Sequence, residues 1–169
     1  MSATMSPPMT GRRAAVLVLG LGNDLLGDDA VGLHVARAVR DRLAGIAGCA
    51  VRETIEMGLS LLDEVAGCEH LLLADSIETG AAPGHVHEFD AASLSPLRTA
   101  TPHFVGIAET LALGRVLGLA MPRDVRIFAI EVRAAYTVCE ALSPDAKRAV
   151  EEAACRISTR AIRLARPAP

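Results

Sequence analysis

The sequence predicts an α/β protein built on a single doubly wound, mostly parallel sheet with helices on both faces. Short apolar runs, typical of strands buried on both faces, alternate along the chain with segments whose apolar residues recur at helical spacing. The 169 residues suit one domain, and 51% of them are hydrophobic, enough for a sizeable core. We therefore predict a single domain over residues 13–166 and a loose N-terminal tail over residues 1–12.

Apolar runs mark the predicted strands. The run from Ala14 to Leu19 ends at Gly20 and contains no polar residue, as expected for a strand buried on both faces of a parallel sheet. Residues 86–89 form a shorter candidate, which suggests a sheet edge. The predicted strands cover residues 14–19, 50–56, 71–74, 86–89 and 125–132.

Helical patterns fill the intervals between these strands. The first begins at the acidic pair Asp28 and Asp29 and ends before Gly45. The last begins at Ser143, a capping residue, with a proline at the first helical position. The predicted helices run from residue 28 to about 43, from 59 to 65, from 104 to 117, and from 144 to about 164.

Composition and charge argue against several classes of partner. The formal net charge of −3 gives no bulk attraction to nucleic acid or to anionic membranes, and aromatic residues, at 2%, offer few platforms for base stacking. No segment is long enough to span a membrane, and the apolar run after Arg12 and Arg13 is too short for an export signal. We therefore expect a cytoplasmic protein that binds neither nucleic acid nor membranes.

The cysteines agree with a reducing compartment. They are widely scattered and form no C-x-x-C pair, a pattern that fits buried thiols better than a disulfide framework or a zinc knuckle. The four are Cys49, Cys68, Cys139 and Cys155.

Acidic residues follow two of the predicted strands, where doubly wound sheets bind their ligands. Asp75 comes directly after the third strand, and its side chain is either a cap or turn residue or a functional carboxylate that needs a partner. Asp28 is predicted to cap the first helix. Asp29 then occupies the first helical position, where the helix dipole favours a carboxylate, and it is either a dipole-stabilising residue or a metal ligand.

One histidine is placed to join these carboxylates. Thr101 as a cap and Pro102 as the first helical residue put His103 in the opening turn of a helix. The positive end of a helix favours a neutral imidazole, the form that coordinates metals; the alternative is an ordinary surface or core histidine. Two carboxylates and one imidazole would form an open site suited to a divalent metal whose other ligands come from a partner.

Two other patterns are weaker. His85 and His87 lie on one side of a predicted strand, where they either bind a metal or belong to an ordinary surface strand. Gly20 and Gly22 lack the third glycine of a dinucleotide-binding fingerprint.

Three ordered motifs resemble those of the nickel–iron hydrogenase maturation proteases. Residues Gly20–Gly32 resemble the family's opening G-x-G-N-x-L-x-x-D-[DE]-x-x-G. Leu73–Ser76 resembles its second motif, an apolar strand that ends in aspartate, and Thr101–Gly106 resembles its S-P-H-x-x-G with threonine in place of serine. Ile130–Glu131 and Leu142–Pro144 also fit the family pattern.

The resemblance implies a five-stranded twisted sheet and a nickel-dependent endopeptidase of the aspartyl type. Such an enzyme removes the C-terminal extension of a hydrogenase large-subunit precursor after nickel insertion. The family's nickel-recognising and catalytic residues match Asp29, Asp75 and His103. The nickel belongs to the substrate, so the resemblance implies no other cofactor and no tightly held metal in the free protein, which is expected to be a monomer.

One stretch departs from the family pattern, and two other functions stay open. Residues Glu53–Gly58 replace the family's D-G-G-T-x-G, so that only Gly58 keeps its place and Glu53 stands for the aspartate; this loop bears on which large subunit is accepted. A peptidyl-tRNA hydrolase-like enzyme shares the strand and G-L-G-N turn, although Asp24 stands where proline is expected. A non-enzymatic metal- or nucleotide-binding module is the other alternative.

Overall fold

The computed structural model describes residues 14–55, 58–91, 102–133, 138 and 141–166, with only the backbone for 102–105. The predicted tail, residues 1–12, lies outside this part of the chain. Strands β1 to β5 cover Val16–Leu21, Cys49–Thr54, His70–Ile77, Val86–Asp90 and Asp124–Glu131. Helices α1 to α4 cover Val31–Arg42, Ser60–Val65, Pro102–Val116 and Pro144–Ala165, and a 3-10 turn, Gly27–Ala30, precedes α1.

The strands form one sheet in the order β2-β1-β3-β5-β4. Strands β2, β1, β3 and β5 are parallel, and β4 pairs antiparallel with β5 at one edge. The predicted five-stranded, mostly parallel sheet is therefore confirmed, including the edge position of β4. We call the side where the parallel strands end the carboxyl edge and the opposite side the amino edge. The strand order reverses between β1 and β3, the position at which such sheets bind ligands.

Apolar side chains cover both faces of the sheet, which explains the uninterrupted apolar runs. Along β1, Val16 and Val18 belong to one core cluster, with residues of α1 and α4. Leu17 and Leu19 alternate with them and belong to a second cluster, with residues of α2 and α3. Since successive strand residues point to opposite faces, only a fully apolar strand satisfies both layers, and each buried valine or leucine contributes about 1.5–3 kcal/mol.

Two glycines of the opening motif let the first helix lie directly against the sheet. A Cβ at Gly32 would lie 2.2 Å from the Leu21 carbonyl oxygen and 2.4 Å from that of Ala74. A Cβ at Gly22, whose φ is +146°, would lie 2.2 Å from the carbonyl oxygen of Asp29. Larger residues at either position would push the 3-10 turn and α1 away from β1 and β3.

Element boundaries differ from the sequence prediction mainly at β3. The strand continues to Ile77 instead of ending at Ala74, because β5 pairs with it as far as Glu131. Asp75 therefore lies inside the strand rather than after it. The expectation of buried cysteines is confirmed for Cys68 and wrong for Cys155, which is exposed on α4; Cys49 is half-buried, and Cys139 lies outside the described residues.

None of the helices in the described ranges combines the length and the apolar composition that crossing a membrane requires.

Candidate functional site

Asp29 is held at the carboxyl edge by a hydrogen bond to β3. It lies in the 3-10 turn between β1 and α1 and is only 6% exposed. The Ser76 hydroxyl donates to its Oδ1 across 3.2 Å, although the two residues are 47 apart in the chain. The turn that follows β1 is therefore connected to the neighbouring strand at the point where the strand order reverses.

Asp75 lies beside this contact. It is 1% exposed, and its Oδ1 accepts a hydrogen bond from the backbone N–H of Ser76 at 2.8 Å. Ser76 thus donates to both acids, with its backbone to Asp75 and with its hydroxyl to Asp29. The structure brings these two predicted site residues together on either side of one serine.

The backbone of His103 lies in the first turn of α3, as the cap pattern predicted. One turn further on, Ile107 is fully buried in the core cluster that includes Leu21 and Ile77, the last residues of β1 and β3. The His103 side chain lies outside the described residues, so its part in the site stays a prediction. Among the side chains that are described, no three His, Cys, Asp or Glu groups form a metal-binding set.

Asp28 has a different role from the one predicted. Its side chain does not cap the turn or α1; its Oδ1 accepts the backbone N–H of Ser143 at 2.6 Å. The turn already begins at Gly27, so Asp28 lies inside it and points toward α4. Ser143 in turn caps α4, as predicted, by accepting the N–H of Ala146 at 3.2 Å. Asp28 therefore joins the opening turn to the last helix.

The residue that replaces the family's aspartate, Glu53, forms ion pairs with α1. Its carboxylate lies 2.7 Å from Arg37 Nε and 2.6 Å from a guanidinium nitrogen of Arg40. Arg37 also contacts Asp24 at 2.8 Å, and this hydrogen bond lowers the pKa of Asp24. The two acids and Arg37 line an open groove of about 360 Å³ at the end of β2. Gly58 has a φ of +66°, a backbone conformation that favours glycine.

Glu131, the last residue of β5, is buried and holds the turn that follows β3. It accepts the backbone N–H groups of Thr79, Gly80 and Ala81 at 2.7, 2.8 and 3.1 Å. It also accepts the Thr79 hydroxyl at 2.8 Å and contacts Nε2 of His87 at 3.0 Å. Burial acts to raise the pKa of Glu131, but these hydrogen bonds outweigh it and the pKa is lowered.

Glu131 also contacts one of the two histidines of the His85-x-His87 pattern, of which His87 lies in β4 and His85 directly precedes it. The rings of His85 and His87 meet edge to face with centroids 4.5 Å apart. His87 is engaged by the Glu131 carboxylate, which agrees with a structural role in the strand.

Ser76 and Glu131 are the two residues whose roles the sequence did not indicate. Both occur in the family motifs, Ser76 directly after the aspartate and Glu131 at the end of a strand. Their partners lie 44 to 52 residues away, so only the fold reveals the contacts.

Relatives of known sequence point to one family. A family model described as hydrogenase maturation protease matches residues 56–160, a range that includes Asp75 and His103. The hydrogenase 2 maturation protease of Escherichia coli is 32% identical over 106 residues, which cover 61% of this chain and 65% of that protein. The hydrogenase expression/formation protein HupM of Azotobacter chroococcum is 25% identical over 73% of this chain and 60% of that protein. The chain thus spans less than two thirds of the length of these relatives.

Solved structures share the fold over most of their length. The hydrogenase maturating endopeptidase HybD from E. coli superposes with a TM-score of 0.67 at 25% identity and covers 86% of this chain and 90% of its own. The maturation protease HycI from Thermococcus kodakarensis gives a TM-score of 0.70 at 19% identity, over 92% and 95%, which supports the fold. Since the family model matches more than half of the residues, the chain belongs to the hydrogenase maturation protease family.

Proposed function

We propose that this protein is an endopeptidase that removes the C-terminal extension of a nickel–iron hydrogenase large-subunit precursor once nickel has been inserted. One observation carries the proposal: two buried carboxylates, Asp29 and Asp75, both accept hydrogen bonds from Ser76 at the point where the strand order reverses. The chain that contains this pair belongs to the hydrogenase maturation protease family. We further propose that the protein acts as a cytoplasmic monomer on this one macromolecular partner.

The donor set fits a metal that arrives with the substrate. Two carboxylates, with the imidazole of His103 as the proposed third ligand, suit a borderline divalent ion and leave coordination positions for ligands from the large subunit. Both carboxylates are buried, at 6% and 1% exposure, so they would hold a cationic guest away from solvent, where the attraction between opposite charges is stronger. Recognition through shared ligands explains why cleavage waits for correct metal loading.

The chain's own groups would position the substrate and move a proton. The substrate's nickel supplies Lewis-acid polarisation of the scissile carbonyl or of a water molecule. One of Asp29 and Asp75 accepts the proton from the attacking water, and the other keeps its charge toward the metal. Because an aspartate carboxylate accepts the proton, the enzyme would be an aspartyl type of endopeptidase.

Family membership favours this function over the two alternatives. A peptidyl-tRNA hydrolase-like enzyme would show a salt-dependent affinity for tRNA. A metal-binding module would bind Ni²⁺ strongly in the free state, whereas a protein that recognises the substrate's metal binds it weakly. Both properties are measured on the purified protein alone, by titration with tRNA and with Ni²⁺.

The deciding experiment incubates the protein with nickel-loaded and with metal-free large-subunit precursor and follows the precursor's mass. We expect the nickel-loaded precursor to lose a C-terminal peptide and the metal-free precursor to stay intact. Equal cleavage of both forms would remove nickel recognition from the proposal, and cleavage of neither would refute the endopeptidase assignment.

A further inference from the structure

We propose that Ser76 is a positioning residue, whose hydroxyl fixes the Asp29 carboxylate in the orientation that accepts the substrate's nickel. The inference deepens the proposed function and rests on it. It concerns a residue that lies between the two acids.

The donor is anchored more firmly than the acceptor. Ser76 belongs to β3 and is paired in register with Ile130 of β5, so its backbone is fixed by the sheet. Asp29 lies in a four-residue 3-10 turn that has no side-chain cap. The 3.2 Å hydrogen bond from the serine hydroxyl therefore ties the Asp29 carboxylate, which lies in the turn, to the rigid strand β3.

The chemistry of the donor suits a carboxylate that must bind a cation. A hydroxyl occupies one lone-pair direction of Oδ1 and leaves the remaining acceptor sites and the full negative charge of the group. Glu53 shows the contrast, since both of its oxygens are paired with arginine guanidinium groups. Donors that orient metal ligands typically change metal affinity or activity by about 10- to 100-fold when they are removed.

The molecule offers a matched control for removing this hydroxyl. Ser158 of α4 is also buried, at 5% exposure against 7% for Ser76, and its hydroxyl donates to the Ala154 carbonyl at 2.6 Å. Ser76→Ala and Ser158→Ala each remove one buried hydroxyl and one hydrogen bond. Only the Ser76 hydroxyl contacts a proposed site residue, Asp29.

The test measures two quantities for both variants and for the unmodified protein. One is the affinity of the free protein for Ni²⁺ alone, measured by calorimetry at a protein concentration high enough to resolve the weak binding expected, and the other is kcat/KM for the nickel-loaded precursor. We expect Ser76→Ala to lower both by about 10- to 100-fold and Ser158→Ala to change neither, while their melting temperatures stay close. Ser76→Thr, which keeps the hydroxyl, is expected to recover at least part of the loss.

The outcomes separate this inference from the proposed function. If the unmodified protein cleaves the nickel-loaded precursor and Ser76→Ala behaves like Ser158→Ala, Ser76 is not a positioning residue. A threonine variant that folds but is as impaired as the alanine variant leads to the same conclusion. If the unmodified protein binds Ni²⁺ without cleaving, the endopeptidase fails while the affinities still test Ser76; absence of both binding and cleavage overturns both proposals.

Discussion

Carboxylates at the two edges of the sheet have different partners. At the amino edge, Asp124 at the start of β5 lies 3.3 Å from Arg126 Nε and 3.8 Å from a guanidinium nitrogen of Arg160. Asp90 at the end of β4 lies 3.1 Å from a guanidinium nitrogen of the same Arg126. At the carboxyl edge, Asp29 accepts a hydrogen bond from the neutral Ser76 hydroxyl.

The difference separates acids that are paired with arginines from an acid that keeps its charge, as our proposal requires of a metal ligand. An arginine neutralises the carboxylate and, at a partly exposed position such as that of Asp124, contributes about 0–1 kcal/mol. A neutral donor orients the carboxylate and leaves its charge for an incoming cation. Glu53, at the end of the edge strand β2, follows the arginine pattern although it lies at the carboxyl edge. The distinction therefore follows the partner and the strand-order reversal rather than the edge alone.

The sharpest test of this contrast replaces one carboxylate from each edge by the isosteric amide. We expect Asp75→Asn to lower cleavage of the nickel-loaded precursor by about 10²- to 10⁴-fold, because the amide removes the negative charge that either proposed role, proton acceptor or metal ligand, requires. Asp124→Asn is expected to leave cleavage within about twofold, because Asp124 lies at the opposite edge of the sheet and its partly exposed ion pairs contribute little to stability. Initial rates from mass spectrometry give both values.

Equal cleavage rates for Asp75→Asn and Asp124→Asn would show that the carboxylates at the two edges do not differ in their importance for cleavage. Circular dichroism and melting curves show that each variant is folded before its rate is compared.

A smaller effect is expected at Glu131, which also lies at the carboxyl edge but whose two oxygens are already occupied by five contacts with the turn after β3 and with His87. Its pKa is lowered from the ordinary value of 4.5, so the ionised form stabilises the folded protein above that value. This contribution is lost as the pH falls below about 4.5 through the lower pKa of the folded state. We expect Glu131→Gln to reduce the free energy of unfolding at pH 7 by about 1–3 kcal/mol. We also expect this free energy to fall less steeply in the variant than in the unmodified protein as the pH is lowered below about 5.

Denaturant titrations at several pH values check this expectation. The control is Glu151→Gln, an exposed position on α4 whose ion pair with Arg42 contributes at most about 1 kcal/mol. A Glu131→Gln protein as stable as the control, with the same pH dependence as the unmodified chain, would show that the turn after β3 does not depend on the carboxylate.

The sequence was sufficient for the fold because the relevant signals are local. Apolar runs, the Ser143-Pro144 start of α4 and the short β4 candidate each depend on neighbouring residues, and the structure confirms them. The proximity of Asp29 and Asp75 was predicted because doubly wound sheets bind ligands at the carboxyl ends of their strands, and because both residues lie in motifs of the family.

Contacts between distant residues could not be predicted in this way. The role of Asp28 depends on the backbone of Ser143, 115 residues away, and no local pattern distinguishes that role from a helix cap. The Ser76–Asp29 bond and the five contacts of Glu131 likewise depend on which strands become neighbours. The end of β3 was misplaced for the same reason, since its last pairs are formed with β5.

The central claim is that Asp29, Asp75 and His103 meet around the substrate's nickel, and its most direct test is the cleavage rate of a His103→Ala variant on nickel-loaded precursor. His85→Ala is the matched control, because His85 is an exposed histidine directly before β4. We predict that His103→Ala is folded but slower than the unmodified protein by at least about 100-fold, while His85→Ala cleaves at the normal rate. Normal cleavage by His103→Ala would contradict the claim and leave the two carboxylates without their third partner.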